Sequence, residues 1–99
     1  MNIEKTKENE NITFQLDGRL DIITAAKLQD IIIPAIDEAK SIVLDFKQLS
    51  YISSAGLRVL LSAQKAANAK NVSISVCNVS NEIMKILEMT GFTGFLTIL

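Results

Sequence analysis

Residues Asp45 to Leu57, DFKQLSYISSAGL, decide the fold. Just upstream, Ile42-Val43-Leu44-Asp45-Phe46 is almost wholly apolar and reads as a central strand with both faces covered. Tyr51-Ile52-Ser53-Ser54 reads as a turn, and a helix is predicted from Ala55 to Lys70. Ser54 then stands at the mouth of that helix, where its side-chain oxygen can accept an orphan backbone N–H. The same position favours negative charge, because a helix N-terminus carries a positive partial charge. A phosphoryl group on Ser54 is therefore compatible with an intact fold, and a switch without unfolding is possible.

The pattern continues on both sides. In the helix after Ser54, Gly56, Val59, Leu60, Ala63 and Ala67 recur at spacings of three and four, while Arg58, Ser62, Lys65 and Asn68 form the wet face. Leu57 and Leu61 lie off that stripe. They either pack on a flanking helix or form a partner-facing patch; Arg58 is either solvated or contacts an acidic partner surface. Val72 to Val76 alternates strictly and predicts a strand. Ser80 is a predicted cap for a third helix with Ile83, Met84, Ile86 and Leu87 inward, and Gly91 is its left-handed stop. Phe95 to Leu99 is a short final strand or an apolar tail.

Toward the N-terminus, Asn2 to Lys7 is a weak strand and Asn9-Glu10-Asn11 is turn chemistry. Ile12, Phe14 and Leu16 alternate with polar residues until Asp17-Gly18, which is expected to break the strand. Arg19 to Ile23 reads as a connector. Thr24 is the predicted cap of a first helix that buries Ala25, Leu28, Ile32, Ala35, Ile36 and Ala39. Pro34 predicts a kink or break in it. The order β, β, α, β, α, β, α, β predicts an α/β fold: one domain over residues 1–99, a mixed central sheet, and helices packed against it through right-handed crossovers.

Composition narrows the function. Ten basic and eleven acidic residues in 99, interspersed, give a net charge of −1 and no basic stripe for nucleic acid. No apolar run is long enough for a membrane span, and the polar N-terminus does not resemble a signal peptide, so a cytoplasmic setting is expected. Cys77 is alone and reads as a small buried thiol. With no histidine, the commonest general base and metal ligand are missing. The four glycines are too scattered for a phosphate loop, and no cofactor is implied. Ser54 has no evident base beside it, which argues against hydrolytic catalysis.

DFKQLSYISSAGL resembles the signature of the STAS domain, the family of bacterial anti-sigma factor antagonists and related sulfate-transporter tails, through Asp45, Leu49, Ile52, Ser54, Gly56 and Leu57. Asp17 to Leu28, and Asn78 to the C-terminal GFTGFLTIL, are similar to flanking parts of that family, so the likeness spans essentially the whole chain. The resemblance implies a binding module and not an enzyme. The unphosphorylated protein would bind an anti-sigma factor that is also a serine kinase; phosphorylation at Ser54 would release it, and a serine phosphatase would reset it. Where many members carry aspartate before the acceptor this chain has Ser53, which leaves Ser53 as second candidate. Asp21 and Thr24 match a segment near the phosphorylation site and become candidate interface residues with Ser53, Ser54, Gly56, Leu57, Arg58 and Leu61; Thr24 is also a candidate helix cap. The alternative is a regulatory or scaffold domain of the same fold serving a stress-signalling assembly or a membrane transport system.

Overall fold

A tight hairpin starts the chain in the computed structural model, which describes residues 1–99. β1 (Asn2–Glu8) and β2 (Asn11–Leu20) pair antiparallel, from Asn2 opposite Asp17 to Glu8 opposite Asn11. Asn9 makes the turn at φ +57°, a conformation asparagine tolerates better than most residues. Then follow α1 (Ile22–Ile36), β3 (Ser41–Asp45), β4 (Leu49–Ile52), α2 (Ser54–Ala69), β5 (Ser73–Cys77), α3 (Asn81–Met89), a 3₁₀ turn at Phe92–Gly94, and β6 (Thr97–Ile98). The sheet is mixed, in the order β1-β2-β3-β5-β6, with β3, β5 and β6 added in parallel.

β2 runs on through Asp17-Gly18, where the sequence predicts a break. Gly18 absorbs a bulge at φ +120°, and its N–H donates to the Gln48 carbonyl at 3.0 Å. The ten-residue strand thereby serves two parallel partners in succession: Asn11–Gln15 pairs with β3, and Gly18–Leu20 with β4. The segment expected to be a turn before α2 is thus largely strand. Tyr51 and Ile52 belong to β4, and only Ser53 separates that strand from the helix.

Registered rows form the core. Ile12, Ile42 and Ile74 lie side by side, as do Phe14, Leu44 and Val76, all buried. The alternate row of Thr13, Val43 and Ser75 is only half-buried. The central strand is therefore covered by helices on one face, not on both. The apolar content of β3 misleads because Val43 faces the polar side of the sheet. Cys77 lies on that open face half-buried, and not in the core as expected; burial, with the Asp45 carboxylate, pushes its thiol pKa up.

Local chemistry sets the helix ends. α1 passes through Pro34 and stops at Ile36, because a missing donor so near the exit costs one terminal bond and no interior turn. α2 ends in a Schellman arrangement: Val72 N–H donates to the Ala67 carbonyl at 2.9 Å, and Asn71, at φ +58°, donates to Asn68 at 3.3 Å. α3 is capped by Ser80 Oγ, which accepts Ile83 N–H at 3.2 Å, and Gly91 stops it at φ +80°. Ile83 and Leu87 are buried, while Met84 and Ile86 are half-buried.

Gly56 is the closest approach of α2 to the sheet. A Cβ there would meet Ile52 Cγ1, Leu20 Cδ2 and Leu20 Cγ, each at 2.9 Å. All three atoms are at or next to a branch point and cannot swing away cheaply. Gly56→Ala gains about 1 kcal/mol of helix propensity, but overpacking of this kind costs roughly 1–3 kcal/mol. The expected outcome is a net loss near ~1 kcal/mol, read as a lower denaturation midpoint with an unchanged m-value. An increase in stability would contradict this packing.

Candidate functional site

β2 and β4 run in parallel and end together at Leu20 and Ile52, so the helices that follow both start at one end of the sheet. Ser53 N–H donates to the Leu20 carbonyl at 2.9 Å and ties the two starts together. Ser53 has extended backbone (φ −93°, ψ 173°), and its Oγ accepts Gly56 N–H at 3.2 Å. Ser53 is therefore the cap of α2, where the sequence assigns that role to Ser54. Ser54 is the first helical residue; it is exposed, and its hydroxyl bonds to no other group of the chain. The two adjacent serines have divided the work: one oxygen is committed to the backbone and the other points to solvent at the positive end of the helix.

The start of α1 shows a similar displacement of roles, here by three positions. Asp21 is the cap, not Thr24: its carboxylate accepts the N–H groups of Ile23 and Thr24, each at 3.0 Å. Thr24 is the reciprocal member of a capping box; its Oγ1 accepts Asp21 N–H at 2.8 Å and donates to the Arg19 carbonyl at 2.6 Å. Thr24 is buried, at 9% exposure, so of these two only Asp21 has a surface to offer. The Thr24 backbone N–H does most to hold the Asp21 carboxyl below its ordinary 3.8; desolvation, next in size, opposes it, and the Thr24 hydroxyl, the Ile23 N–H and the Arg19 charge each add a lesser lowering.

The other candidates are placed unequally. Gly56 is buried and Leu57 is only 8% exposed; Leu61 is half-buried against the core. Leu57 and Leu61 thus follow the packing alternative and form no open apolar patch beside Ser54. Arg58 is exposed, one turn beyond Ser54. The apolar surface at this end comes instead from Ile22 and Ile23, 75% and 69% exposed in the first turn of α1. The sequence carried a signal for them: both precede the buried stripe that begins at Ala25. Arg19 and Tyr51, paired across β2 and β4, are a further addition, with the guanidinium carbon 4.2 Å from the ring centroid.

No three His, Cys, Asp or Glu side chains converge where a metal ion could be held. The cleft of the molecule, 280 Å³, lies elsewhere, among Asn2, Glu4, Gln15, Asp45 and Lys47, and no residue around Ser54 lines it. What the arrangement at Ser54 offers chemically is an accessible hydroxyl that can accept a group and a surface that group would alter.

The STAS domain profile matches residues 2–98. The chain belongs to the STAS domain family. It is 28% identical over 92 residues to the anti-sigma-B factor antagonist of Staphylococcus aureus, covering 92% of this chain and 85% of that one. Its fold is similar to that of the anti-sigma factor antagonist SpoIIAA in its unphosphorylated form, with a TM-score of 0.86, 20% identity, and coverage of 99% and 88% of the two chains. It is also similar to SpoIIAA of Bacillus in the phosphorylated form, with a TM-score of 0.79, 20% identity, and coverage of 99% and 91%.

Two measurements check the geometry. Ser53→Ala should lose about 1 kcal/mol of stability, the usual cost of an N-cap, while Ser54→Ala should stay within about 0.5 kcal/mol of the parent. The reverse ranking would return the cap to Ser54. Asp21→Ala should also be less stable than the parent at neutral pH, since it removes an N-cap. A carboxyl whose folded pKa is depressed contributes stability that is present above its unfolded pKa and lost as pH falls through the folded one. The gap between Asp21→Ala and the parent should therefore narrow on titration from pH 5 downward through 3.8 and below; a gap constant to about pH 2 would contradict the anionic cap.

Proposed function

We propose that this chain is an anti-sigma factor antagonist that works by partner switching. In its unphosphorylated form it binds an anti-sigma factor with serine kinase activity and so frees a sigma factor. Phosphorylation of Ser54 releases it, and a serine phosphatase resets it. The chain acts in the cytoplasm as the substrate of these enzymes and carries no catalysis of its own.

The observation that carries the reading is the exposed, unbonded hydroxyl of Ser54 at the start of α2, beside a cap already made by Ser53. A kinase needs an oxygen it can reach without first breaking a helix cap. Ser54 meets that requirement and Ser53 does not, so Ser54 is preferred over Ser53 as acceptor. Membership of the STAS family and similarity to named antagonists supply the partner class. No helix is long and apolar enough to cross a membrane.

The docking surface is read as the joint start of α1 and α2: Ser54, Arg58, Ile22 and Ile23, with Asp21 as the anionic edge. Ile22 and Ile23 give apolar area next to a hydroxyl, a pairing that suits a close, partly dry contact. A phosphoryl group adds about −1.5 to −2 charges at neutral pH. At a helix N-terminus that stabilises by about 0.3–1 kcal/mol, so the fold is retained. Pressed into a dry contact, the same group must be desolvated, at a cost of a few kcal/mol. Interface loss exceeds fold gain, and about 2.7 kcal/mol corresponds to a hundredfold in affinity.

The test is to incubate the chain with ATP and candidate anti-sigma factor kinases and to map the phosphate by mass spectrometry. Phosphate on Ser54 is expected; phosphate on Ser53, or none with any such kinase, would refute the assignment. Ser54→Asp should keep its circular-dichroism spectrum and melting curve yet bind about a hundredfold more weakly, and Ser54→Ala should bind constitutively. Ile22→Asp should weaken binding at least tenfold with the fold unchanged; unaltered binding would move the docking surface elsewhere.

A further inference from the structure

Arg58 is an exposed guanidinium that makes no ion pair with any carboxylate of the chain. It stands four residues after Ser54 in the same helix. Residues i and i+4 are neighbours on a helix surface, and an anion N-terminal to a cation is the favourable order. Helical side chains also lean toward the N-terminus, so a long side chain at position 58 covers the turn that Ser54 begins. The other charged groups at this end are already engaged. Asp21 is bound by the capping N–H groups of α1, and Arg19 of β2 lies over the Tyr51 ring of β4.

We propose that Arg58 is the intramolecular clamp of the phosphoryl group on Ser54, and that this capture is half of the switch. The proposal rests on Ser54 being the acceptor. In the unphosphorylated chain the Arg58 guanidinium is free to meet an acidic group of the anti-sigma factor. Once Ser54 carries a dianion, that guanidinium turns back onto it through charge-assisted hydrogen bonds. Phosphorylation then does two things to one surface. It adds negative charge where contact is made, and it withdraws the cation that the partner used. The phosphate also gains a local counter-ion, so the released form persists until the phosphatase acts.

The test uses chain carrying phosphoserine at position 54, introduced during synthesis, so that it does not depend on any kinase. Phosphorus NMR titration should give a second phosphate pKa about 0.3 units higher in Arg58→Gln than in the parent, the shift expected for one i,i+4 pair. Arg58→Lys should restore much of the difference, and about 1 M salt should abolish it. Coincident curves for the parent and Arg58→Gln at low salt would overturn the clamp, whatever the natural acceptor. Mapping the phosphate to Ser53 would instead refute the acceptor reading and leave the titration result standing. For the partner half, unphosphorylated Arg58→Gln should bind the anti-sigma factor about three- to tenfold more weakly, with a shallower salt dependence. Unchanged affinity would remove the proposed contact.

Discussion

The close approach of α2 to the sheet at Gly56 governs the geometry around the site. With no side chain there, the first turn of the helix comes down onto Leu20 and Ile52, the last residues of the two strands that carry the helix starts. The helix axis is thereby fixed relative to the strand ends, and so is the direction of each residue in its first turn. Ser53 is held by its N–H to Leu20 and by its oxygen to Gly56. Ser54, next along, is exposed. A side chain at 56 would lift the helix and loosen both constraints together, which couples packing in the core to the presentation of a surface hydroxyl.

The division of labour between Ser53 and Ser54 follows from the same constraint. A helix N-terminus leaves N–H groups without partners and a positive end to its dipole. Ser53 answers the first need and leaves the Ser54 hydroxyl exposed beside the second. Because the cap is Ser53, a charge placed on Ser54 would touch no bond that the fold uses. α1 begins beside it with a capping box at Asp21 and Thr24, and exposes Ile22 and Ile23 in the same turn. Both helix starts are thus capped by side chains, and the exposed Ile22 and Ile23 stand in the first turn of one as the exposed Ser54 does in the other.

Much of this was legible in the residues. The alternation of Ile12, Phe14 and Leu16, the stripe from Ala25 to Ile36, the stop at Gly91 and the cap at Ser80 are set by nearest-neighbour chemistry, and the chain follows them. The errors were of one kind. Thr24 and Ser54 are both good caps by residue type, yet Asp21 and Ser53 hold those roles, because a cap is decided by where the preceding strand lets go of the chain. Asp17-Gly18 looks like a terminator, but β4 offers β2 a second partner and a glycine bulge is cheaper than an abandoned ladder. β4 itself, four residues long with two exposed, carries too little pattern to be seen without the strand it pairs with. Val43 made β3 look covered on both sides, although hydrophobicity alone cannot say which face a helix takes.

By itself the sequence determined the class of fold, the family and every regular element except β4, since these rest on periodicity, turn chemistry and a local motif. Only the tertiary structure decided which of two adjacent hydroxyls is free, that Leu57 and Leu61 pack on the core, and that the helices exposing Ile22, Ile23 and Ser54 start at one end of the sheet. Each of those depends on the meeting of β2 with β4 at Leu20 and Ile52, a contact between segments some thirty residues apart. Long-range pairing of that kind leaves no mark in any local window of the chain.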